Sequence, residues 1–328
     1  MKTKLLLIII GISGLLTKVA IGQQLPQYSQ YMMNQYLLNP AVGGTSDQYH
    51  INAGYRKQWL GINDGPSTIY LSGHGHVGKE HPRHRGRHKN MNSWHHGIGF
   101  LFVSDRTGPT SRNNFLLSYA YDMQVAKKIR MSFGVFGGIQ QWSLDAERIK
   151  LYDPSTQVAG FTKYLPDASV GIWVYHPSWY IGASAHQLFM NKIDTRTFSI
   201  NGGPAFSNGA NRLTQHYYVT GGVNLPLGND FRFVPSLLMK TSLFSPGVSV
   251  DINAKTRFKE FVWAGVSYRN NDAVVFLLGL LIEKQYELGY SYDYGIGTIS
   301  RYGSGSHEIF LGYRLSQKAK IISPHEFW

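Results

Sequence analysis

Tyr286-Glu287-Leu288-Gly289-Tyr290-Ser291-Tyr292-Asp293-Tyr294, followed after a Gly/Ser-rich gap by Ser306-His307-Glu308-Ile309-Phe310-Leu311-Gly312-Tyr313-Arg314-Leu315, alternates with a period of two residues. In the first half Tyr286, Leu288, Tyr290, Tyr292 and Tyr294 share one side, and Glu287, Gly289, Ser291 and Asp293 share the other. In the second half Ile309, Leu311, Tyr313 and Leu315 oppose Ser306, Glu308, Gly312 and Arg314. A helix would scatter these sets around its surface, whereas a strand sorts them. A face of aromatic and aliphatic residues backed by charge and glycine suits a strand between lipid and a wet lumen. The stretch therefore predicts a hairpin that closes a transmembrane antiparallel β-barrel.

The rest of the chain extends the pattern. Tyr49, Ile51, Ala53 and Tyr55 alternate with His50, Asn52, Gly54 and Arg56, and Ile69, Leu71 and Val77 alternate with Tyr70, Ser72, His74 and His76. Similar runs cover Asn114–Asp122, Ile129–Gln140, Ala168–Val174, Trp179–Ala185, His216–Asn224, Phe231–Lys240, Val248–Lys255 and Val262–Arg269. Two segments resist assignment to a face. Phe100-Leu101-Phe102-Val103 is an unbroken apolar run, and Asp272 to Glu283 is apolar on both sides. About fourteen strands result, an even number as single-chain bacterial barrels require. Pro235 cannot donate to a ladder, which predicts a bulge or an early strand end there.

The N-terminus reads as a leader. Met1-Lys2-Thr3-Lys4, an apolar run from Leu5 to Leu16 and Ala20-Ile21-Gly22 have the form of a secretory signal peptide over residues 1–22. No later segment approaches the roughly 20 apolar residues of a membrane helix. With 36 Gly, 21 Tyr and only 16% charged residues, the composition suits a barrel. There is no Cys, which excludes disulfides and lipid attachment through cysteine. Formal net charge is +13, and removing Lys2, Lys4 and Lys18 with the leader leaves +10. Such a balance favours lipopolysaccharide or acidic partners without choosing between them.

The predicted organisation is a leader (1–22), an N-terminal periplasmic or plug segment (23–47), the barrel (48–315) and a C-terminal periplasmic tail (316–328). Within the second part, Gln27 to Gly44 lacks clean alternation. Met33, Tyr36 and Leu37 share a helical face that Asn39-Pro40 would stop, so a short helix or irregular segment docked at or in the barrel is expected. Connections alternate in length. Ala126-Lys127-Lys128, Pro177-Ser178, Leu227 to Asp230, Lys259-Glu260 and Glu283-Lys284 are short, whereas Trp142 to Leu165 and Leu188 to Arg212 are long. Short turns belong in the periplasm and long loops outside, which places both termini in the periplasm. Gly78 to Trp94, long but on the short-turn side, is the exception.

Several stretches carry a resemblance. Gln30 to Gly44, with Asn34, Asn39, Pro40 and Ala41, reads Q-Y-x-x-N-x-x-x-x-N-P-A-x-x-G. Tyr55-Arg56-Lys57-Gln58-Trp59 with Gly65-Pro66-Ser67-Thr68, Leu144-Asp145 to Asp153-Pro154, Pro235-Ser236 before Lys240, and Ser304-Gly305-Ser306-His307-Glu308-Ile309 before Gly312-Tyr313 follow in order. Together they resemble the PorP/SprF family of outer-membrane proteins. The resemblance implies a barrel associated with type IX secretion, gliding motility and display of a surface adhesin, with secreted adhesins or other type IX substrates and secretion components as partners. A porin-like diffusion channel is the alternative reading.

No chemistry of catalysis or cofactor binding is expected, because no nucleophile elbow, paired-histidine motif or phosphate loop is present. Lys79 to Lys89, with His81, His84 and His88, is a basic loop that suits an anionic partner or a solvated surface better than a metal. His74 and His76 share one strand face, with His50 on the neighbouring strand, and are weighed as metal ligands, with ordinary lumen hydrogen bonding preferred. Phe136, Trp173, Trp263 and Phe310 also point inward, which favours a filled barrel over an open pore. If the last strand pairs with the first, Glu287, Asp293, Glu308 and Arg314 come beside His50 and Arg56. These six residues are the predicted lumen charge seam.

Overall fold

The computed structural model describes residues 25–82, 93–149, 157–158, 160–193, 198–199, 211–243, 245–259 and 261–316. The leader, the segment 83–92 that contains His84 and His88, the tail beyond 316 and parts of the longest loops lie outside the described residues. The side chain of His81 does too.

Fourteen antiparallel strands close into a barrel. They are β1 (Gln48–Lys57), β2 (Ser67–Pro82), β3 (Ser93–Thr107), β4 (Thr110–Ala126), β5 (Ile129–Leu144), β6 (Phe161–His176), β7 (Trp179–His186), β8 (His216–Val223, continued by Leu225–Leu227), β9 (Phe231–Ser242), β10 (Ser245–Phe258), β11 (Val262–Arg269), β12 (Ala273–Ile282), β13 (Tyr286–Gly295) and β14 (Ser306–Ser316). Each pairs with its sequence neighbour. β14 returns to β1 over ten positions, from Gln48 opposite Ser316 to Lys57 opposite His307, so no edge remains.

Alternation sorts as the chemistry demands. Ile51, Leu117, Ile139, Ile181, Ile252 and Leu311 face outward and are about half exposed, while their strand neighbours are buried inside. The two ambiguous segments resolve in the same way. Leu101 and Val103 point inward while Ile98, Phe100 and Phe102 face out. Val275, Leu277 and Leu281 point inward while Phe276, Leu278 and Leu280 face out. Leu101, Val103, Val275 and Leu277 belong to one buried cluster with Met32, Met33 and Leu37, so these inward positions face an apolar core inside the lumen. Replacing Leu278 by Arg puts a charge on the lipid face midway along β12. We expect a loss of about 2–4 kcal/mol, against about 0–1 for the same change at Ile282 near the rim. Urea titration of the barrel in lipid vesicles reads the difference, and equal midpoints for the two variants would contradict the assigned lipid face.

Pro235 does not end its strand. Its register with β10 is continuous, and the bulge on that side falls between Lys240 and Ser242. The irregularity appears in the other neighbour instead. Pairing with β8 lapses between Gly222–Ser236 and Leu225–Phe233, where the proline offers no N–H.

The barrel has a turn end and a loop end. The turn end carries the short connections at 127–128, 177–178, 228–230, 259–261 and 283–285, the exceptional connection 83–92, the start of β1 and the end of β14. Strand extension narrows that exception from both sides. The loop end carries 58–66, 145–160, 187–215 and 296–305, but also the tight connections 108–109, 243–244 and 270–272. β2 to β6 are 15 to 17 residues long, against 8 to 10 for β11 to β13, so the wall is uneven in height.

Residues 28–46 run inside the barrel along its length and are buried throughout. Instead of one helix they form two single 3-10 turns, Gln35–Leu37 and Pro40–Val42. Asn39-Pro40 starts the second turn as well as stopping the first. The Asn39 side chain accepts from Ala41 N, and Pro40 sits where a helix-type turn needs no N–H. Gly44, at φ 81, makes a turn that only glycine accepts comfortably. It abuts Gly97 of β3, where an added Cβ would come within 2.7 Å of the Gly43 carbonyl carbon.

Candidate functional site

The first and last strands bring Arg56 directly opposite Glu308 and His50 directly opposite Arg314. Arg56 Nη2 lies 2.8 Å from Asp293 Oδ2, and its Nη1 lies 3.4 Å from Glu308 Oε2. Asp293 is on β13, two strands from β1, so Arg56 reaches across β14 to meet it. Arg269 of β11 joins from the far side, with Nη1 3.3 Å from Asp293 Oδ2 and 3.0 Å from Asp272. Its Nε is 3.4 Å from Asp251, which also pairs with Lys240 at 3.0 Å. These groups are nearly all buried, where an ion pair persists only if its remaining hydrogen-bonding positions are filled.

The six seam residues do not form one network. Glu287 pairs with Arg314 and accepts from Trp263 Nε1 at 3.0 Å. It is six positions from Asp293 on the same strand, roughly 20 Å away. His50 lies beside Arg314 in register but stacks on His74, with ring centroids 5.0 Å apart. The sequence-predicted residues thus fall into a cluster at the loop end (Arg56, Asp293, Glu308) and a pair lower in the wall (Glu287, Arg314). His74 and His76 face the lumen as expected. Among the described residues no group of His, Asp or Glu has the geometry of a metal site.

What the loop-end cluster holds is the N-terminal segment. Ser29 N donates to Glu308 Oε2 at 2.7 Å and Gln30 N to Oε1 at 3.3 Å, so the carboxylate caps two consecutive amides. Gln30 Nε2 donates to the Glu308 carbonyl at 2.9 Å. The Ser29 hydroxyl donates to Asp293 Oδ2 at 2.7 Å and accepts from Arg56 Nη1 at 2.5 Å. Tyr70 OH adds a bond to Glu308 Oε1 at 3.3 Å.

The fastening continues down the lumen. Asn34 Nδ2 donates to Ser72 Oγ at 2.9 Å, and Tyr36 OH meets Ser118 Oγ at 2.5 Å. Asn39 Nδ2 donates to Ile172 O at 3.0 Å and Ala183 O at 3.1 Å, bridging β6 and β7. Ser184 and His186 both reach Leu38 O. At the turn end a second buried network takes over. Arg130 Nε donates to Asp122 Oδ1 at 2.5 Å, Tyr175 OH to Asp122 Oδ2 at 2.8 Å, and Arg130 Nη2 touches His95, whose Nε2 meets Gly44 O at 2.8 Å.

Leu25, Pro26 and Tyr28 line a small cleft with Leu101, Val103, Leu116, Asp167 and Tyr218, all in the loop-end half. The earliest described residues therefore lie at the loop end, opposite Ser316. This revises the expectation that the N-terminal segment begins at the short-turn side. Ser29, Gln30, Tyr70 and Arg269 were not singled out as site residues from the sequence. Arg269 was readable as a lumen charge, but nothing in the irregular Gln27–Gly44 stretch reveals which wall residues it meets.

A family model described as "Type IX secretion system membrane protein PorP/SprF" matches residues 20–313. No curated protein matches. Among solved structures, the chain resembles the Ralstonia pickettii toluene transporter TbuX at 10% identity and a TM-score of 0.51, covering 88% of this chain and 93% of that one. It also resembles the CymD monoaromatic hydrocarbon channel at 13% identity and a TM-score of 0.48, covering 90% and 94%. The likeness to TbuX is one of fold.

Proposed function

The chain belongs to the PorP/SprF family of type IX secretion system membrane proteins, and from this premise we propose that it is a plugged outer-membrane scaffold that anchors or helps export a cell-surface adhesin or another type IX substrate. The observation that supports a scaffold is the N-terminal segment, buried over residues 28–46 and bonded to strands around the lumen. A lumen filled in this way is built for rigidity. The surface left for partners is the loop end, the turn end and the rims. In this reading the turn end and the C-terminal tail face the periplasm and the secretion components, the long loops face outward, and lipid and lipopolysaccharide surround the wall. The N-terminal segment then begins on the outer side, within the lumen. The reading is non-enzymatic.

A mild-detergent pull-down from the native membrane with mass spectrometry tests the proposal. Recovery of a large exported adhesin supports the anchor role, and recovery of periplasmic secretion components alone supports a core role in the same machinery. Recovery of neither sinks both. The likeness of fold to a toluene transporter favours one competing reading, a diffusion channel. Conductance in a planar bilayer separates the two, since a large steady current from the full-length protein belongs to the channel alone.

A further inference from the structure

At the loop end the connections 58–66, 270–272 and 296–305 enclose a cavity of about 310 Å³. Its floor is the upper edge of the charge cluster, Arg56 and Asp293. Its walls include Gln58, Trp59, Asn271, Asp272 and the glycine-rich stretch from Gly295 to Ser306. Two stretches that carry the family resemblance, Tyr55–Trp59 and Ser304–Ile309, lie far apart in sequence and converge here.

Two buried side-chain atoms of Asp293 and Arg56 have no hydrogen-bond partner among the described residues. Asp293 Oδ2 accepts from Ser29, Arg56 and Arg269, while Oδ1 accepts from nothing. Arg56 donates through Nη1 and Nη2, while Nε donates to nothing. Both side chains are almost fully buried, at 3% and 2% exposure, and buried polar atoms normally find partners. Trp59 adds a second sign of function. It holds φ 51, a left-handed conformation uncommon for a bulky residue and characteristic of constrained functional sites. Three bonds pin it between the loops: Trp59 N to Ser306 Oγ at 3.2 Å, Leu60 N to Gly305 O at 2.8 Å and Ser304 N to Leu60 O at 2.6 Å.

The lining selects the ligand class. Its one cation among the described residues, Arg56, already serves two carboxylates, and Asp272 and Asp293 are both paired with Arg269, so the lining offers an ion no free charge. A purely apolar ligand would desolvate the polar ends of Gln58, Asn271 and Asp272 without replacing their hydrogen bonds to water. A ring bearing adjacent hydroxyls replaces them, because each hydroxyl donates and accepts. Flat two-atom groups on Gln58, Asn271 and Asp272 suit vicinal hydroxyls, and an indole offers an apolar face to the ring. The volume lies at the lower edge of the roughly 300–1,000 Å³ of small-molecule pockets, which fits one ring better than a chain. We infer that this cavity binds a single neutral sugar ring. Binding itself is independent of the secretion role. That the sugar arrives from outside the cell rests on the proposed orientation. Its source is a lipopolysaccharide, a glycosylated secreted protein or a free sugar.

The test uses the full chain purified in lauryldimethylamine oxide, a detergent without a sugar head group, and saturation-transfer NMR against a panel of neutral methyl hexosides. A subset of the panel is expected to bind. Trp59→Ala and Asn271→Ala should each weaken binding about tenfold, a change equivalent to about 1.4 kcal/mol, while retaining the gel migration of a folded barrel. Asp293→Asn tests the floor, and should it fail to fold, the two wall variants still decide. Tighter binding of oligosaccharide released from lipopolysaccharide than of the monosaccharide would identify that source, and equal binding would identify a free or protein-borne sugar. No binding across the panel, binding unmoved by both wall variants, or preference for acetyl-asparagine methylamide would overturn the inference. A failed pull-down with intact sugar binding would count against the secretion reading alone.

Discussion

Glu308→Lys is expected to stop the barrel from assembling. Glu308 is fully buried, sits opposite Arg56 across the strand pair that closes the barrel, and accepts from two consecutive amides of the N-terminal segment. A lysine there removes the acceptor for Ser29 N–H, Gln30 N–H and Tyr70 O–H and places a second cation against Arg56. Breaking one partner of a buried pair costs about 3–5 kcal/mol, and each orphaned donor about 1–3 more. Losses within one network do not add simply, yet their scale matches the entire margin of about 5–15 kcal/mol that holds a domain folded. Glu308→Gln is the informative control. It keeps the shape and one acceptor, and Arg56 retains Asp293, so a folded barrel of reduced stability is expected. Heat-modifiable migration in the outer-membrane fraction reports both results. A Lys variant that folds in normal yield would show that closure does not depend on this charge. Adding Arg56→Glu to Glu308→Lys should not restore folding. The same guanidinium also serves Asp293, which would then face a glutamate.

The seam shows what sequence can and cannot reveal. That Arg56 meets Glu308 follows from period-two facing and the rule that a closed barrel pairs its last strand with its first. Once both are granted, register does the rest. That Arg56 also reaches Asp293, or that Arg269 arrives from two strands farther on, follows from no such rule. Long side chains cross strand boundaries, and only three-dimensional placement says which do. The N-terminal segment is less legible still. A strand has a period, so its neighbours can be computed, whereas Gln27 to Gly44 winds through two 3-10 turns and has no register from which to derive partners. Its effect on the wall was visible without its cause. Phe100 to Val103 and Asp272 to Glu283 look ambiguous because a lumen packed with Met32, Met33 and Leu37 makes inward positions apolar. Pro235 misled for a related reason. A missing N–H interrupts only the neighbour it faces, and here that is β8, so the strand itself continues into register with β10.

Removing residues 29–44 should convert a barrel that passes no steady current into one that does. Eight-stranded barrels fill their interiors with their own side chains, whereas 16–18 strands leave an aqueous channel. Fourteen strands enclose a lumen between these limits, and here the chain itself supplies the filling. Along the segment, Tyr36 packs edge-on against Phe136 at 5.0 Å, Tyr31 OH accepts from Asn253, and Gly134 leaves no room for a Cβ beneath Pro40 and Ala41. Without the segment these contacts become a polar cavity lined by Asn52, Ser72, Ser118, Asn253 and several histidines, and water enters. The deletion also orphans Glu308, so the variant will be less stable and must be shown to fold before its current is read. The absence of native cysteine provides that check. Ser72→Cys places one thiol on an inner-wall position that is 0% exposed in the intact protein. It should resist a water-soluble thiol reagent in the full-length chain and react in the deletion variant. A reactive thiol with a steady conductance in a planar bilayer supports the plugged scaffold. A large steady conductance from the full-length protein would instead make the barrel a diffusion channel. A folded deletion variant with a reactive thiol and no current would mean that the wall residues, rather than the segment, seal the lumen.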